Sequence, residues 1–247
     1  MKIAISHRSA LVLACLALLL GAPPALGASC PAAPFVHFAE PGQLPNLGEL
    51  KLQLIDYKCF GGYDRDVAKA LAEARVHVET RASAVPNPAI VLDIDETSLS
   101  NWTEILADDF GYIPDGECSS LPNGPCGDRA WELSAQAPAL APTLALFNAA
   151  KARGVAIFFI TGRSGDEALR AATEKNLRAA GYEGWTELVM RPAGSHTASA
   201  ADYKAPERAK IATRFTIIAN IGDQKSDLDG GYAERSFRVP NPFYYIP

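Results

Sequence analysis

The sequence predicts an α/β domain: a doubly wound parallel sheet with a helical N-terminal segment and a small insertion after the first sheet strand. Three observations carry this. The runs AIVLDI, GVAIFFITGR and FTIIANIGD are apolar without alternation, as strands covered on both faces are. Stretches with helical spacing separate them, the pattern of a sheet with crossover helices. Each run ends in polar residues placed where an open parallel sheet leaves a crevice.

The chain has 247 residues, enough for one domain with a sizeable core. Hydrophobic residues make up 48% and charged residues 21%, which argues against wholesale disorder. The formal net charge of −5 argues against a general nucleic-acid binder, which needs clustered Lys and Arg.

Residues 1–27 read as a signal peptide: Lys2 and Arg8 begin it, residues 10–20 are apolar, and Ala25-Leu26-Gly27 supplies small residues for cleavage. Residues 28–247 are then the exported domain, periplasmic or extracellular, with no second span. A lipid anchor at Cys30 is the weaker reading, because Gly27 stands where a Leu-like residue is wanted. Cys30, Cys59, Cys118 and Cys126 remain after cleavage, and an even number in an exported chain points to two disulfides. Of the three pairings, Cys118–Cys126 with Cys30–Cys59 is the expected one, since CSSLPNGPC is rich in turn formers. Closing that short loop contributes about 2.5 kcal/mol in the chain-entropy picture. Zinc spacing is absent.

Along the chain, residues 31–45 are an extended lead-in with four prolines. Residues 46–82 read as helix, with Val67, Leu71, Ala74 and Val78 on one face. SAVPNP breaks it before the first strand. Residues 97–141 hold Trp102, Phe110, Tyr112 and Trp131 among Gly, Pro and Cys, an insertion longer than a tight connection. A helix after Pro142 leads to the second strand. Residues 165–181 form an amphipathic helix with Leu169, Ala172, Leu177 and Ala180 inward, TELVM is a short third strand, Lys204 precedes another short helix, and FTIIANIGD is the fourth strand.

Asp93 and Asp95 follow the first strand, Thr161-Gly162-Arg163 the second, and Asp223 and Asp227 the fourth. Carboxylates crowded at strand ends repel unless a cation joins them, and a few Asp oxygens suit Mg²⁺. An Asp beside Mg²⁺ and Lys204 is a nucleophile towards phosphorus, and a second Asp two residues on can serve as acid and base. Mg²⁺ and Lys204 would offset the charge of the transferring phosphoryl group.

VLDIDETSLSN, FFITGRS, YKAPER and IGDQKSDL, with GGYDRDV before and PNPFYYIP after, resemble the haloacid dehalogenase superfamily. More closely they resemble its secreted acid phosphatase branch, with plant acid phosphatases, vegetative storage proteins and bacterial class C acid phosphatases. The resemblance implies Asp93 as nucleophile and metal ligand. It implies Asp95 as general acid/base, ligating through its backbone carbonyl. Thr161 and Lys204 would hold the phosphoryl group, and Gly162 and Arg163 match the substrate-binding motif. Asp223 would bind Mg²⁺ and Asp227 would support it. The implied activity is a Mg²⁺-dependent acid phosphatase acting on small phosphate monoesters, nucleoside monophosphates among them, through an aspartyl-phosphate. Gln224 and Ser226 look more like the plant branch than the class C pattern.

Each residue also has a plainer role. Asp93, Asp95 and Asp227 could cap helices, Lys204 could lie on the surface, Thr161 could merely end a strand, and Glu96 could only orient neighbours. Trp102, Tyr112 and Trp131 are expected to pack a satellite core rather than stack on a leaving group. His37, His77 and His196 receive no role; Arg191 is ambiguous between phosphate and surface. Asn101-Trp102-Thr103 has the form of a glycosylation site. Two rival functions share the fold: a storage or binding protein, disfavoured by the presence of Asp93, and a phosphotransferase.

Overall fold

A computed structural model describes residues 44–195 and 199–246. The expected signal peptide, Cys30, His37 and His196 lie outside the described residues. Chain order is α1 (Leu47–Cys59), α2 (Gly62–Arg81), β1 (Pro88–Leu92), α3 (Trp102–Ala107), α4 (Asp128–Ser134), α5 (Ala141–Lys151), β2 (Ala156–Ser164), α6 (Glu167–Ala179), β3 (Glu187–Arg191), α7 (Ala200–Ala212), β4 (Thr216–Gly222), α8 (Lys225–Leu228) and β5 (Ser236–Arg238).

The strands form one parallel sheet in the order β3-β2-β1-β4-β5. The chain winds from β1 through β2 to β3, then returns to the other side for β4 and β5. That reversal places a switch point between β1 and β4, where such sheets open a crevice at their carboxyl ends. The unbroken apolar runs follow from coverage on both faces. Ile90 and Leu92 of β1, with Ile157 and Phe159 of β2, join a core with Val67, Leu71, Ala74 and Val78 of α2 and Leu146 and Phe147 of α5. Ala89, Val91, Phe158 and Ile160 point the other way, against Tyr203 and Ile211 of α7. No described helix is long and apolar enough to cross a membrane.

Three expectations change. The single helix over 46–82 is two helices. Gly61 takes a φ of +73°, a region open to glycine at little cost, and the chain turns there between α1 and α2. Asn46 starts α1, its side chain accepting from the Gly48 and Glu49 amides. Lys204 lies inside α7, not before it, because Ser199 and Asp202 form a capping box that begins the helix earlier. The sheet also has a fifth strand, β5, whose three residues are too short to show a period.

The insertion folds around α3, α4 and the expected Cys118–Cys126 disulfide. Trp102 packs against Phe110 and Phe243, with ring centres 6.1 and 5.2 Å apart, and Trp131 is buried, as a satellite core requires. Tyr112 departs from that reading, since it is 75% exposed. His77 is tied to the Ile218 carbonyl at 2.9 Å and lies beside Phe237.

Candidate active site

The β1–β4 pairing continues one step past β1: the Asp93 amide donates to the Ile221 carbonyl at 2.9 Å. This sets Asp93 beside Gly222-Asp223. The chain then turns sharply, with the Thr97, Ser98 and Leu99 amides all donating to the Ile94 carbonyl. Glu96 sits at φ +49° in that turn. Its buried carboxylate accepts from the Asn101 amide at 2.5 Å and the Tyr63 hydroxyl at 2.8 Å. Burial raises the Glu96 carboxyl, and these two bonds oppose the rise. The turn brings Asp93 and Asp95 to the wall of one cavity of about 720 Å³.

Lys204 reaches this wall from α7. Its Nζ donates to Asp93 Oδ1 and to Asp227 Oδ1, each at 2.5 Å. Asp227 also accepts from the Gln224 amide at 2.9 Å through Oδ2, so it caps α8 and faces the site at once. Gly222 makes room for this: a Cβ there would lie 2.4 Å from Asp227 Cβ. Asp223 is fixed by Thr97 Oγ1 at 3.1 Å on Oδ1, and by Gln224 and Asn241 amides at 2.7 Å on Oδ2.

Oxygens of Asp93, Asp223 and Asp227 lie within 4.8 Å of one another, all buried. Burial, then Asp227, pushes the Asp223 carboxyl up to about 7. Burial pushes Asp93 well above the usual carboxylate range; Lys204 opposes this, while Asp227 and Asp223 add to it. One ammonium cannot balance three carboxylates. The donor set is hard oxygen throughout, the chemistry a small divalent cation selects.

Asp95 is held apart from that cluster. Arg163 Nη2 donates to its Oδ1 at 2.6 Å, Arg163 Nε lies 3.1 Å from both oxygens, and Asn101 Nδ2 donates at 2.9 Å. Burial alone would raise Asp95, but the buried guanidinium and these bonds outweigh it and hold the carboxyl below its ordinary range. The Arg163 amide donates to Thr161 Oγ1 at 3.1 Å. Thr161 itself is fully buried, and at that point Gly162 and Arg163 form the cavity wall. Nothing lies within 4 Å of a Cβ placed on Gly162.

The C-terminal segment closes another side. Gln224 Oε1 accepts from the Ile246 amide at 3.0 Å, and Phe243 packs on Tyr63 with ring centres 5.0 Å apart. These contacts lay Tyr244 and Tyr245 along the cavity.

Asp93, Asp95, Gly162, Arg163, Lys204, Asp223 and Asp227 therefore meet at one cavity, with Arg191 also on its wall and Thr161 behind it. Sequence reasoning missed Asn101, Asn241, Glu104 and Glu132. Asn101 had the form of a glycan acceptor, yet it is 7% exposed and bridges Asp95 to Trp131 Nε1, 2.9 Å from its Oδ1. Its signal was its place six residues after Asp95, inside the same motif. Asn241 lies in PNPFYYIP, and nothing local marks Glu104 or Glu132.

Comparison with known proteins agrees with this geometry. The family described as HAD superfamily, subfamily IIIB (acid phosphatase), matches residues 47–247. The chain is 36% identical to acid phosphatase 1 of Solanum lycopersicum over 160 residues, 63% of this chain and 58% of that protein. It is 37% identical to the stem 28 kDa glycoprotein of Glycine max over 165 residues, 65% of this chain and 61% of that protein. The chain thus spans about three fifths of the length of these relatives. Its fold resembles the class C acid phosphatase of Bacillus anthracis solved with tungstate bound, with a TM-score of 0.63, 20% identity, and coverage of 79% of this chain and 85% of that one.

Proposed function

Because the chain belongs to subfamily IIIB of the HAD superfamily, the acid phosphatase subfamily, we propose that it hydrolyses small phosphate monoesters through an aspartyl-phosphate. The observation that carries this is the meeting of Asp93, Asp95, Lys204 and Asp223 on one cavity at the β1–β4 switch point.

The residues divide the work. Lys204 occupies Asp93 Oδ1 and leaves Oδ2 to attack phosphorus. As the new P–O bond forms, the ester P–O bond breaks, and the leaving alkoxide takes a proton from Asp95. In the second half, Asp95 takes a proton from water while that oxygen attacks phosphorus. The bond to Asp93 breaks, and phosphate leaves. Lys204 offsets charge on the phosphoryl oxygens. Gly162 lets the ester approach the backbone, with Thr161 behind it. A divalent cation, Mg²⁺ in this reading, would be held by Asp93, Asp223, Asp227 and the Asp95 carbonyl, and when bound would keep Asp93 ionised and stabilise charge on the phosphoryl group. Asp95 must be protonated for the first half. Arg163 holds that carboxyl low, so its protonated fraction grows towards acid pH, which supports an acidic optimum. The Cys118–Cys126 disulfide supports export to an oxidising compartment.

The test is phosphate release from p-nitrophenyl phosphate, with Mg²⁺ and with EDTA, beside Asp93→Asn. Turnover that needs metal and disappears in the variant is the expected result. Turnover that survives Asp93→Asn would mean another nucleophile. No turnover by folded protein across acid to neutral pH would end the phosphatase reading.

A further inference from the structure

The wall built by the insertion carries charge that the phosphoryl chemistry does not use. Glu104 from α3 and Asp128 and Glu132 from α4 line the cavity beside Asp95. Arg163 is the nearby guanidinium, and it is committed to Asp95 at 2.6 Å and Glu132 at 3.4 Å. Arg129 is engaged with Asp166 at 2.9 Å. Glu104 is 7% exposed and faces the cavity, and among the described residues its carboxylate has no hydrogen-bond or ion-pair partner. With no partner on the protein, this carboxyl has only the cavity side from which a ligand group can reach it. Burial, and after it the neighbouring Asp128, Asp95, Asp108 and Glu132, push the Glu104 carboxyl up to about 9. Asp128 is pushed up to about 6 and Glu132 to about 8, burial leading in both. Arg191 lines the same cavity, so one guanidinium faces three carboxyls; burial keeps Glu104 and Glu132 protonated near neutral pH, and a bound cation would draw them into the ionised form.

The spacing decides what kind of cation fits. Among the described residues, the only three acidic groups with oxygens within 4.8 Å of one another are Asp93, Asp223 and Asp227. Glu104, Asp128 and Glu132 are spread too widely to share one metal ion, so they suit a larger organic cation. Tyr112 lines the same cavity and offers an exposed ring to an ammonium group. Direction follows from Asp95: it meets the leaving oxygen, and Arg163 links it to Glu132, so the alcohol portion runs along this wall.

We propose that Glu104, Asp128 and Glu132 form a subsite for a positively charged leaving group, making phosphate monoesters of amino alcohols the preferred substrate class. The proposal rests on the phosphomonoesterase reading, which places the phosphoryl group at Asp93.

The test compares phosphocholine with 3,3-dimethylbutyl phosphate, its uncharged isostere, on the full chain with Mg²⁺. The wild-type kcat/KM is expected to favour phosphocholine by about tenfold at low ionic strength, and the preference should shrink as salt is added. In Glu104→Gln/Asp128→Asn the ratio should fall towards one. A wild-type ratio near one, or a preference insensitive to salt, overturns the proposal without need of any variant. A second readout does not depend on turnover: NMR titration with choline against 3,3-dimethylbutan-1-ol. Selective binding of choline that weakens in the double variant supports the subsite, and equal or absent binding overturns it. If no ester is turned over, the phosphatase reading fails while the choline titration still decides the subsite.

Discussion

Lys204→Met isolates the charge balance at the centre of the site. Met keeps most of the side-chain length and removes the ammonium. Lys204 contacts Asp93 and Asp227 at 2.5 Å each, and the three side chains are 5%, 7% and 6% exposed. Removing one partner from so buried a cluster costs about 3–5 kcal/mol, because the remaining charges are left without compensation. Protonation limits the loss. Asp93 already sits well above the usual range through burial, and without Lys204 it rises further. A carboxyl whose pKa is higher folded than unfolded binds protons on folding, so its contribution is complete at acid pH and is lost as pH rises. The stability gap between wild type and variant should therefore widen between about pH 5 and about pH 8, at no more than about 1.4 kcal/mol per pH unit. A divalent cation supplies the missing charge: at about 100 times its Kd it should restore about 2.7 kcal/mol. The assay is urea unfolding in EDTA at several pH values, repeated with Mg²⁺. Equal stability of the two proteins at about pH 8 in EDTA, or a gap that narrows as pH rises, would refute the reasoning. In the activity assay the same variant should lose about 10²–10³ in kcat, the scale for removing one donor to developing charge.

Other substitutions read other parts of the site. Glu104→Gln should stabilise the protein increasingly as pH rises from about 5 to about 9: burial holds the native carboxyl up near 9, so wild type loses stability over that window and the amide does not. Thermal unfolding across pH reads this, and a pH-independent difference would contradict it. Trp131→Phe removes the Nε1 bond to Asn101 Oδ1 at 2.9 Å and frees the amide that orients Asp95. Steady-state kinetics should show kcat down by about tenfold with KM little changed, the signature of a lost positioning contact. Phe243→Ala removes the ring between Tyr63, Trp102 and Phe110. It should cost about 3–5 kcal/mol in urea unfolding.

The fold was readable because its strongest signals are local. Burial on both faces forces strands such as β1 and β4 to be apolar throughout, and no packing detail is needed to see it. Charge at the ends of those strands was legible for the same reason, since a buried run stops at Asp only where something faces it. Short elements were not legible. The three residues of β5 carry no period, and the start of α7 depended on a Ser199–Asp202 capping box easily overlooked beside Pro206. Asn101 read as a possible glycan acceptor because a tripeptide has no burial; the fold put its amide against Asp95.

What the sequence determined by itself was the sheet, its covering helices and the set of carboxylates and cations at the strand ends. Periodicity and residue type suffice for these, because each is set by neighbours along the chain. Only the tertiary structure decided how the charges are shared: Lys204 between Asp93 and Asp227, Arg163 between Asp95 and Glu132, Glu104 with neither. Those partners lie far apart in sequence, and Coulomb energy depends on distance and burial in space, which a linear chain does not record.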